Sequence, residues 1–250
     1  KDIIDQIFGI TLKSIKNEIP GWRKSKEFLK KNKNIIVHYG EDHTGDIYKV
    51  ENIKSFRNKV GGNCCELVTA DGGFDFSIDF NRQEQLSYRI IFCEIITAFA
   101  VQKKGGNFVC KIFDMYTQLT AKLIYILNIF YTDIEITKPK TSRSANSEKY
   151  IIAKNFKGIE NTVLNKFYNI IKKWDEIDEQ KMYVTDICIK NKLPNYYINS
   201  ITKYNNENAE KQLENIIKTL TIIRDRFNSN KQIDSSNIIK NQIKLALNWC

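Results

Sequence analysis

Leu67-Val68-Thr69-Ala70-Asp71-Gly72-Gly73-Phe74 joins a short apolar run to an acid and two glycines. An apolar run of this length, closed by an acid and two glycines, reads as a buried strand that stops in a tight turn. In open α/β sheets the ligand sits outside the carboxyl ends of the strands. Asp71 is therefore expected at the rim where a site would form. Upstream, residues 7–12 and 34–40 read as strands, with a turn at Ile19-Pro20-Gly21-Trp22 and a short polar helix over 24–31 between them. Residues 41–46 form a polar loop, and 50–60 a helix closed by Gly61-Gly62. Downstream, Leu86, Ile90, Ile91, Ile95 and Phe99 recur at helical spacing, which predicts a long apolar helix over 85–101 ended by Gly105-Gly106. A strand at 107–113, a helix at 119–130 and strands at 133–137 and 149–154 follow.

This alternation predicts a parallel α/β sheet. The last two strands are separated only by a loop, so they are expected to pair antiparallel, because a parallel crossover needs about a dozen residues or more. After Gly158 the pattern becomes helical: Ile159, Val163, Phe167, Ile170 and Trp174 share one face, Leu213, Ile217, Leu220 and Phe227 another, and 238–249 suits a third helix. The expected organisation is a core over 1–158 and a helical extension over 159–250.

The 250 residues carry 39 basic and 29 acidic side chains, a net charge of +10. Such a balance favours a polyanionic partner, chiefly RNA or DNA; the plainer alternative is a lysine-rich surface kept soluble by its charge. No apolar run approaches the roughly 18 residues of a membrane span, and Lys1-Asp2-Ile3-Ile4-Asp5 does not read as a secretory signal. Cys64, Cys65, Cys93, Cys110, Cys188 and Cys250 form no C-x-x-C pair, and there are two histidines, so no metal site is expected. Cys64, Cys93 and Cys110 lie in or beside apolar runs and are expected to be buried thiols. This usage suits a reducing compartment.

Asp71, Lys111 and Glu148 each fall at a strand edge. An antiparallel strand begins where its parallel neighbours end, so all three can reach one rim. A lysine flanked by carboxylates in a partly buried cleft can serve as a general base if its free pKa of about 10.4 falls. Desolvation and neighbouring cations lower it, and carboxylates raise it. A salt-bridged lysine at a sheet end is the equally open alternative.

The blocks Tyr39-Gly40 with Gly45-Asp46-Ile47, Glu51-Asn52-Ile53 with Phe56-Arg57-Asn58, Ala70-Asp71-Gly72-Gly73-Phe74, Gly105-Gly106-Asn107-Phe108-Val109-Cys110-Lys111-Ile112-Phe113-Asp114, and Lys138-Pro139-Lys140-Thr141-Ser142-Arg143-Ser144-Ala145-Asn146-Ser147-Glu148-Lys149-Tyr150 run in this order. Together they resemble the FtsJ-like ribose 2′-O-methyltransferases, most closely the cap-specific mRNA branch. Leu245-Ala246-Leu247-Asn248-Trp249 resembles the end of the cap enzymes more faintly. The resemblance implies a Rossmann-like methyltransferase sheet, S-adenosylmethionine as methyl donor and an RNA ribose hydroxyl, cap-proximal in mRNA, as acceptor. The family uses a Lys-Asp-Lys-Glu tetrad, whose last three members match Asp71, Lys111 and Glu148. Lys111 would take the hydroxyl proton, and Asp71 and Glu148 would orient and tune the lysines. Asp46 and Ile47 match a donor-contacting pair; an Asx turn beside Gly45 is the plainer reading of Asp46. Asn81, Arg82 and Gln83 match one RNA-contacting segment and Asn146 another, although Asn81 also suits a helix cap. Ser144 stands where the family usually has proline, which would loosen the loop before Glu148.

The family's Gly-rich first strand, which cradles the donor, and its first catalytic lysine have no match here. In the family's order that strand lies in mid-sheet, and an empty slot would leave two strands with unpaired backbone groups. The expectation is that a preceding segment of a longer polypeptide, or a separate chain, completes the sheet. The rivals are an enzyme acting on ribosomal or transfer RNA and a non-catalytic RNA-binding or structural subunit. A dehydrogenase is a distant third, since no G-x-G-x-x-G appears. The resemblance implies an intracellular setting, nuclear or cytoplasmic, or a viral factory or virion. The Lys, Asn and Ile bias and the nearest-looking relatives suggest a large DNA virus.

Overall fold

The computed structural model describes residues 6–13, 22–73, 80–143, 145–177, 184–187, 192–229 and 236–247. The expected turn at Ile19-Pro20-Gly21, Phe74, Ser144, Cys188, Asn248, Trp249 and Cys250 lie outside them. Two short parallel strands, β1 (Ile7–Ile10) and β2 (Ile35–His38), pair in register Ile7 to Ile35. A separate sheet of four runs in the order β3 (Cys65–Ala70), β4 (Gln102–Ile112), β6 (Lys149–Phe156), β5 (Tyr131–Thr137). β3 and β4 are parallel, and β6 lies antiparallel to both its neighbours. One reversed strand in an otherwise parallel arrangement is the expected pattern.

The helices follow their patterns. Among α1 (Lys26–Lys31), α2 (Val50–Val60), α3 (Gln83–Val101) and α4 (Gln118–Phe130), α3 is the apolar one almost all round, and it is buried over most of its length. A helix of that kind belongs inside a core. α3 touches α2 on one side and α4 on the other, and α5 (Asn161–Trp174) packs on it as well. α5 instead has one apolar face, Leu164, Tyr168, Ile171 and Trp174, which joins the same core. α2 ends at Gly61, whose φ of +93° lets its N–H and that of Gly62 turn back to the Arg57 carbonyl. α6 (Asn195–Ser229) buries Tyr197 at its start but leaves Leu213, Leu220 and Phe227 exposed, and α7 (Ser236–Leu247) exposes Ile239 and Ile243.

Four expectations are corrected. β3 is not a buried strand: none of its residues is buried and Leu67 is exposed, because among the described residues β3 has a strand on one side only. Gly105-Gly106 does not end α3: β4 leaves α3 directly at Gln102, and the glycines sit within the strand. There the β3 partner jumps from Gln102 to Asn107, and Gly105 adopts φ +82°. An extra-residue bulge of this kind needs a residue that tolerates positive φ. Asn81 is not the cap of α3; it lies in the 3-10 turn Phe80–Arg82, and Arg82 occupies the cap position without a side-chain capping bond. Cys64 is exposed, unlike Cys93 and Cys110, because it precedes β3 at the edge of the sheet.

Candidate active site at one rim of the sheet

Strand register alone sets the site. Ala70 pairs with Cys110 across β3 and β4, so the next residues, Asp71 and Lys111, share a level. Across β4 and β6, Lys111 pairs with Tyr150, and Glu148 precedes β6 by one residue. Side chains two apart on a strand share a face. Phe108, Cys110 and Ile112 are buried, whereas Val109 and Lys111 are half-buried on the opposite face. Asp71, Lys111, Tyr150 and Glu148 thus fall together on the face away from the buried layer.

The contacts agree. The Lys111 ammonium pairs with the Asp71 carboxylate and donates to the Asp71 carbonyl at 3.4 Å. It also lies 5.7 Å from the centre of the Phe113 ring. Lys111 is 16% exposed and Asp71 69%, so the lysine is the sheltered partner. Glu148 accepts from Tyr150 Oη at 2.8 Å, Ser142 Oγ at 2.9 Å and Asn146 Nδ2 at 3.2 Å. Burial alone pushes its carboxyl upward. Those three bonds and the Lys111 charge outweigh it, so the carboxyl stays below its ordinary value and ionised.

The loop before Glu148 is drawn in by Lys138. Its Nζ donates to the Asn146 carbonyl (2.8 Å), the Asn146 side chain (2.6 Å) and the Glu148 carbonyl (2.9 Å). Burial, followed by the charge of Lys149, lowers the Lys138 pKa. From α6, Gln212 Nε2 donates to the Asn146 carbonyl at 2.9 Å. A groove of about 460 Å³ runs between this loop and α6, flanked by Lys138, Lys140, Tyr204 and Lys211. Gln83, at the start of α3, accepts from Ser147 Oγ at 2.7 Å. The Asn81–Gln83 and Asn146 segments are therefore joined. Asn81 and Arg82 are exposed beside them.

Asp46 and Ile47 stand in the loop after β2. Asn52, fully buried on α2, shapes it: its Oδ1 accepts the Asp42 N–H (3.1 Å), and its Nδ2 donates to the Asp42 side chain (2.9 Å) and the Asp46 carbonyl (2.9 Å). Gly40, at φ +77°, lies so close to Asn52 that a Cβ there would stand 2.3 Å from its side chain. The Asx turn expected as the plainer reading is present, since Asp46 Oδ1 accepts the Tyr48 N–H at 2.9 Å. That bond leaves Asp46 Oδ2 available to a ligand, with the half-buried Ile47 beside it as an apolar wall.

Tyr150, Ser142, Lys138 and Glu94, which meets the turn after Asp71, are the residues that sequence reasoning did not single out. An uninterrupted apolar run around one acid, Ile90-Ile91-Phe92-Cys93-Glu94-Ile95-Ile96, was the signal for the last of them.

A sequence profile described as FtsJ-like methyltransferase matches residues 5–156, more than half of the chain. A Dictyostelium discoideum protein named cap-specific mRNA (nucleoside-2′-O-)-methyltransferase 1 is 44% identical over 127 residues, covering 49% of this chain and 17% of its own length. Proteins of the same name from Danio rerio and Mus musculus are 35% identical over 188 residues (72% of this chain, 22% of that protein) and 39% identical over 158 residues (60% and 18%). The chain spans about a fifth of the length of these relatives. A solved ribosomal RNA methyltransferase from Plasmodium falciparum is 20% identical with a TM-score of 0.34, covering 50% of this chain and 66% of that one, a likeness too low to carry an argument.

Proposed function

The chain belongs to the FtsJ-like methyltransferase family, and from that premise we propose that it methylates RNA at a ribose 2′-hydroxyl, on the cap-proximal nucleotides of mRNA. The observation that carries this reading is the Lys111–Asp71 pair with ionised Glu148 on the same sheet face. S-adenosylmethionine, the family's donor, supplies a methyl group made electrophilic by its sulfonium. The described residues fit part of it. Asp46 Oδ2 suits a donor hydroxyl or amino group, and Ile47 suits the flat face of the adenine.

In this reading Lys111 is the general base that takes the proton from the ribose hydroxyl. Asp71 holds the Lys111 amine by its carboxylate and its carbonyl. Glu148 supplies fixed negative charge, and its three donors hold it still. Such catalysis is mostly alignment and preorganised electrostatics. Asn81, Arg82, Gln83 and Asn146 serve as the RNA contacts, supported by the net charge of +10 and by the groove beside α6. Residues 1–158 would form the catalytic core, and 159–250 an extension that lends Gln212 to the Asn146 loop. A reaction on mRNA would place the protein in the nucleus or cytoplasm. No helix among the described residues is long and apolar enough to cross a membrane.

The two-sheet topology supports a further element of this reading. β1 pairs only with β2, and β3 only with β4, among the described residues. Both open strands lay apolar side chains on the shared core, Phe8 and Ile10 from one, Val68 and Ala70 from the other. A strand inserted between them, from a preceding segment or a partner chain, would satisfy both edges. Donor binding by a 29.2 kDa monomer of these 250 residues alone, with the affinity of the complete protein, would count against that insertion.

The functional test is methyl transfer from labelled donor by the complete protein to capped and uncapped RNAs of one sequence. The label should appear on the ribose of the first nucleotides and depend on the cap. Transfer to a base, or no transfer to either RNA, overturns the proposal; equal transfer to uncapped RNA moves it to another RNA class.

A further inference from the structure

Glu94 is 7% exposed, deep in the apolar middle of α3, beneath the turn that follows β3. Its Oε1 accepts the Gly72 N–H at 2.6 Å, and the Cys110 thiol donates to its Oε2 at 3.8 Å. Buried carboxylates need such donors, because burial without them is costly. A Cβ on Gly72 would stand 2.5 Å from Glu94 Oε1 and 2.8 Å from Ile90 Cγ1, so only glycine allows this approach.

The Gly72 N–H and the Asp71 C=O belong to one peptide unit. In a trans peptide they point in opposite directions, and this structure has no cis bond among the described residues. One side of the unit meets Glu94. The other side meets Lys111, whose Nζ lies 3.4 Å from the Asp71 carbonyl. Rotating the peptide would break both contacts together.

We propose that Glu94 is a positioning residue for the methyl-transfer site, gripping the Asp71–Gly72 peptide from the core so that its carbonyl and the Asp71 carboxylate face Lys111. The inference rests on the role given to Lys111 above. The charged and titratable groups around Glu94 are Lys111 and Cys110 on β4, Asp71 at the end of β3, and Cys93 on its own helix. Burial pushes the Glu94 carboxyl up to about 7. The Gly72 N–H, the Lys111 charge and Cys110 pull the other way, and Asp71 adds to the rise. Glu94 therefore gains a proton as pH falls through neutrality, and the Gly72 N–H reports it.

The test uses the complete protein and two variants. Glu94→Gln keeps an acceptor oxygen in the same place, and Glu94→Ala removes it. Glu94→Ala should lose about tenfold or more in kcat, with KM for capped RNA within about twofold, since one misaligned contact at the reacting group costs rate before binding. Glu94→Gln should stay within about threefold of wild type. In protein labelled with 13C-aspartate and 15N-glycine, Asp71-Gly72 is the one Asp-Gly pair of these 250 residues. Its amide should shift with pH near neutrality in wild type and stay flat in Glu94→Gln. Full kcat per folded molecule in Glu94→Ala, a Gln variant as slow as the Ala variant, or a wild-type amide that does not move overturns the proposal. Should Glu94→Ala not fold, the Gln variant and the amide titration decide. A wild type that transfers no methyl group refutes the methyl-transfer reading instead, and the amide titration still tests the Glu94 contact.

Discussion

Replacing Lys111 with alanine separates a base from a salt bridge, because the two roles predict effects of different size. The structural cost is small. The Asp71 partner is 69% exposed, and pairs of that kind contribute about 0–1 kcal/mol. The Phe113 contact at 5.7 Å adds about 0.5–1 kcal/mol. Lys111→Ala should therefore lower unfolding free energy by roughly 0.5–2 kcal/mol. The chemical cost is larger. A positioned proton acceptor is worth about 10²–10⁴ in rate, or about 2.7–5.4 kcal/mol at 1.36 kcal/mol per factor of ten. The checking measurements are urea denaturation and single-turnover methyl transfer to capped RNA, with the rate expressed per folded molecule. The expected outcome is a modest shift in midpoint with an unchanged slope, and a rate lower by at least a hundredfold. A rate within about tenfold of wild type once the folded fraction is corrected, or rescue by Lys111→Met, would refute the base assignment and leave the pair a structural tie.

Asn52→Ala orphans the Asp42 N–H and the Asp46 carbonyl, each worth about 1–3 kcal/mol if buried. Their loop is half-exposed, so water offsets part of the loss and about 2–3 kcal/mol is expected by denaturation, with weaker donor binding by calorimetry. Glu148 has a folded pKa below its unfolded value, so its stabilisation is complete above the ordinary carboxylate range and is lost as pH falls through the lowered value. The stability gap between wild type and Glu148→Gln should therefore be constant near neutrality and close in acid, and a gap that widens in acid contradicts the hydrogen bonding described. Phe99 is fully buried, with the Phe130, Phe156 and Tyr131 rings 4.8, 5.4 and 6.1 Å away; Phe99→Ala should cost about 3–5 kcal/mol, read as a lower denaturant midpoint.

How much of this was legible depends on how local each cause is. Asp71 at the end of a strand, the helix over Val50–Val60 and its Gly61 stop follow from residues within a few positions of one another. The reversal of β6 followed from the short loop before it. Gly105-Gly106 misled because a local stop signal was outweighed by a ladder with β3, which is set by residues some forty positions upstream. Asn81 lost the cap position because a 3-10 turn enters α3 one residue later than its side chain suggested. Tyr150 could not be read as a neighbour of Lys111 without the register of two strands. Lys138 reads as one more basic surface residue, because the three acceptors that its half-buried ammonium meets come together only in the folded loop.

The two faces of the sheet divide the work. Phe108, Cys110 and Ile112 point into a dry layer with α3, while Val109, Lys111, Tyr150 and Ile152 stay half-open on the other side. An RNA strand is bulky and charged, so it needs the open face. A proton acceptor needs fixed surroundings, and an open face supplies few of them. Glu94 resolves the conflict, because one carboxylate anchored in the dry layer reaches through the glycine turn to the peptide that holds Lys111. Alignment on the wet face is thereby borrowed from packing in the core. Substitutions of Ile90, which presses on Gly72 from α3, should accordingly lower kcat while sparing RNA affinity, although Ile90 belongs to the helix layer and not to the sheet face that carries Lys111.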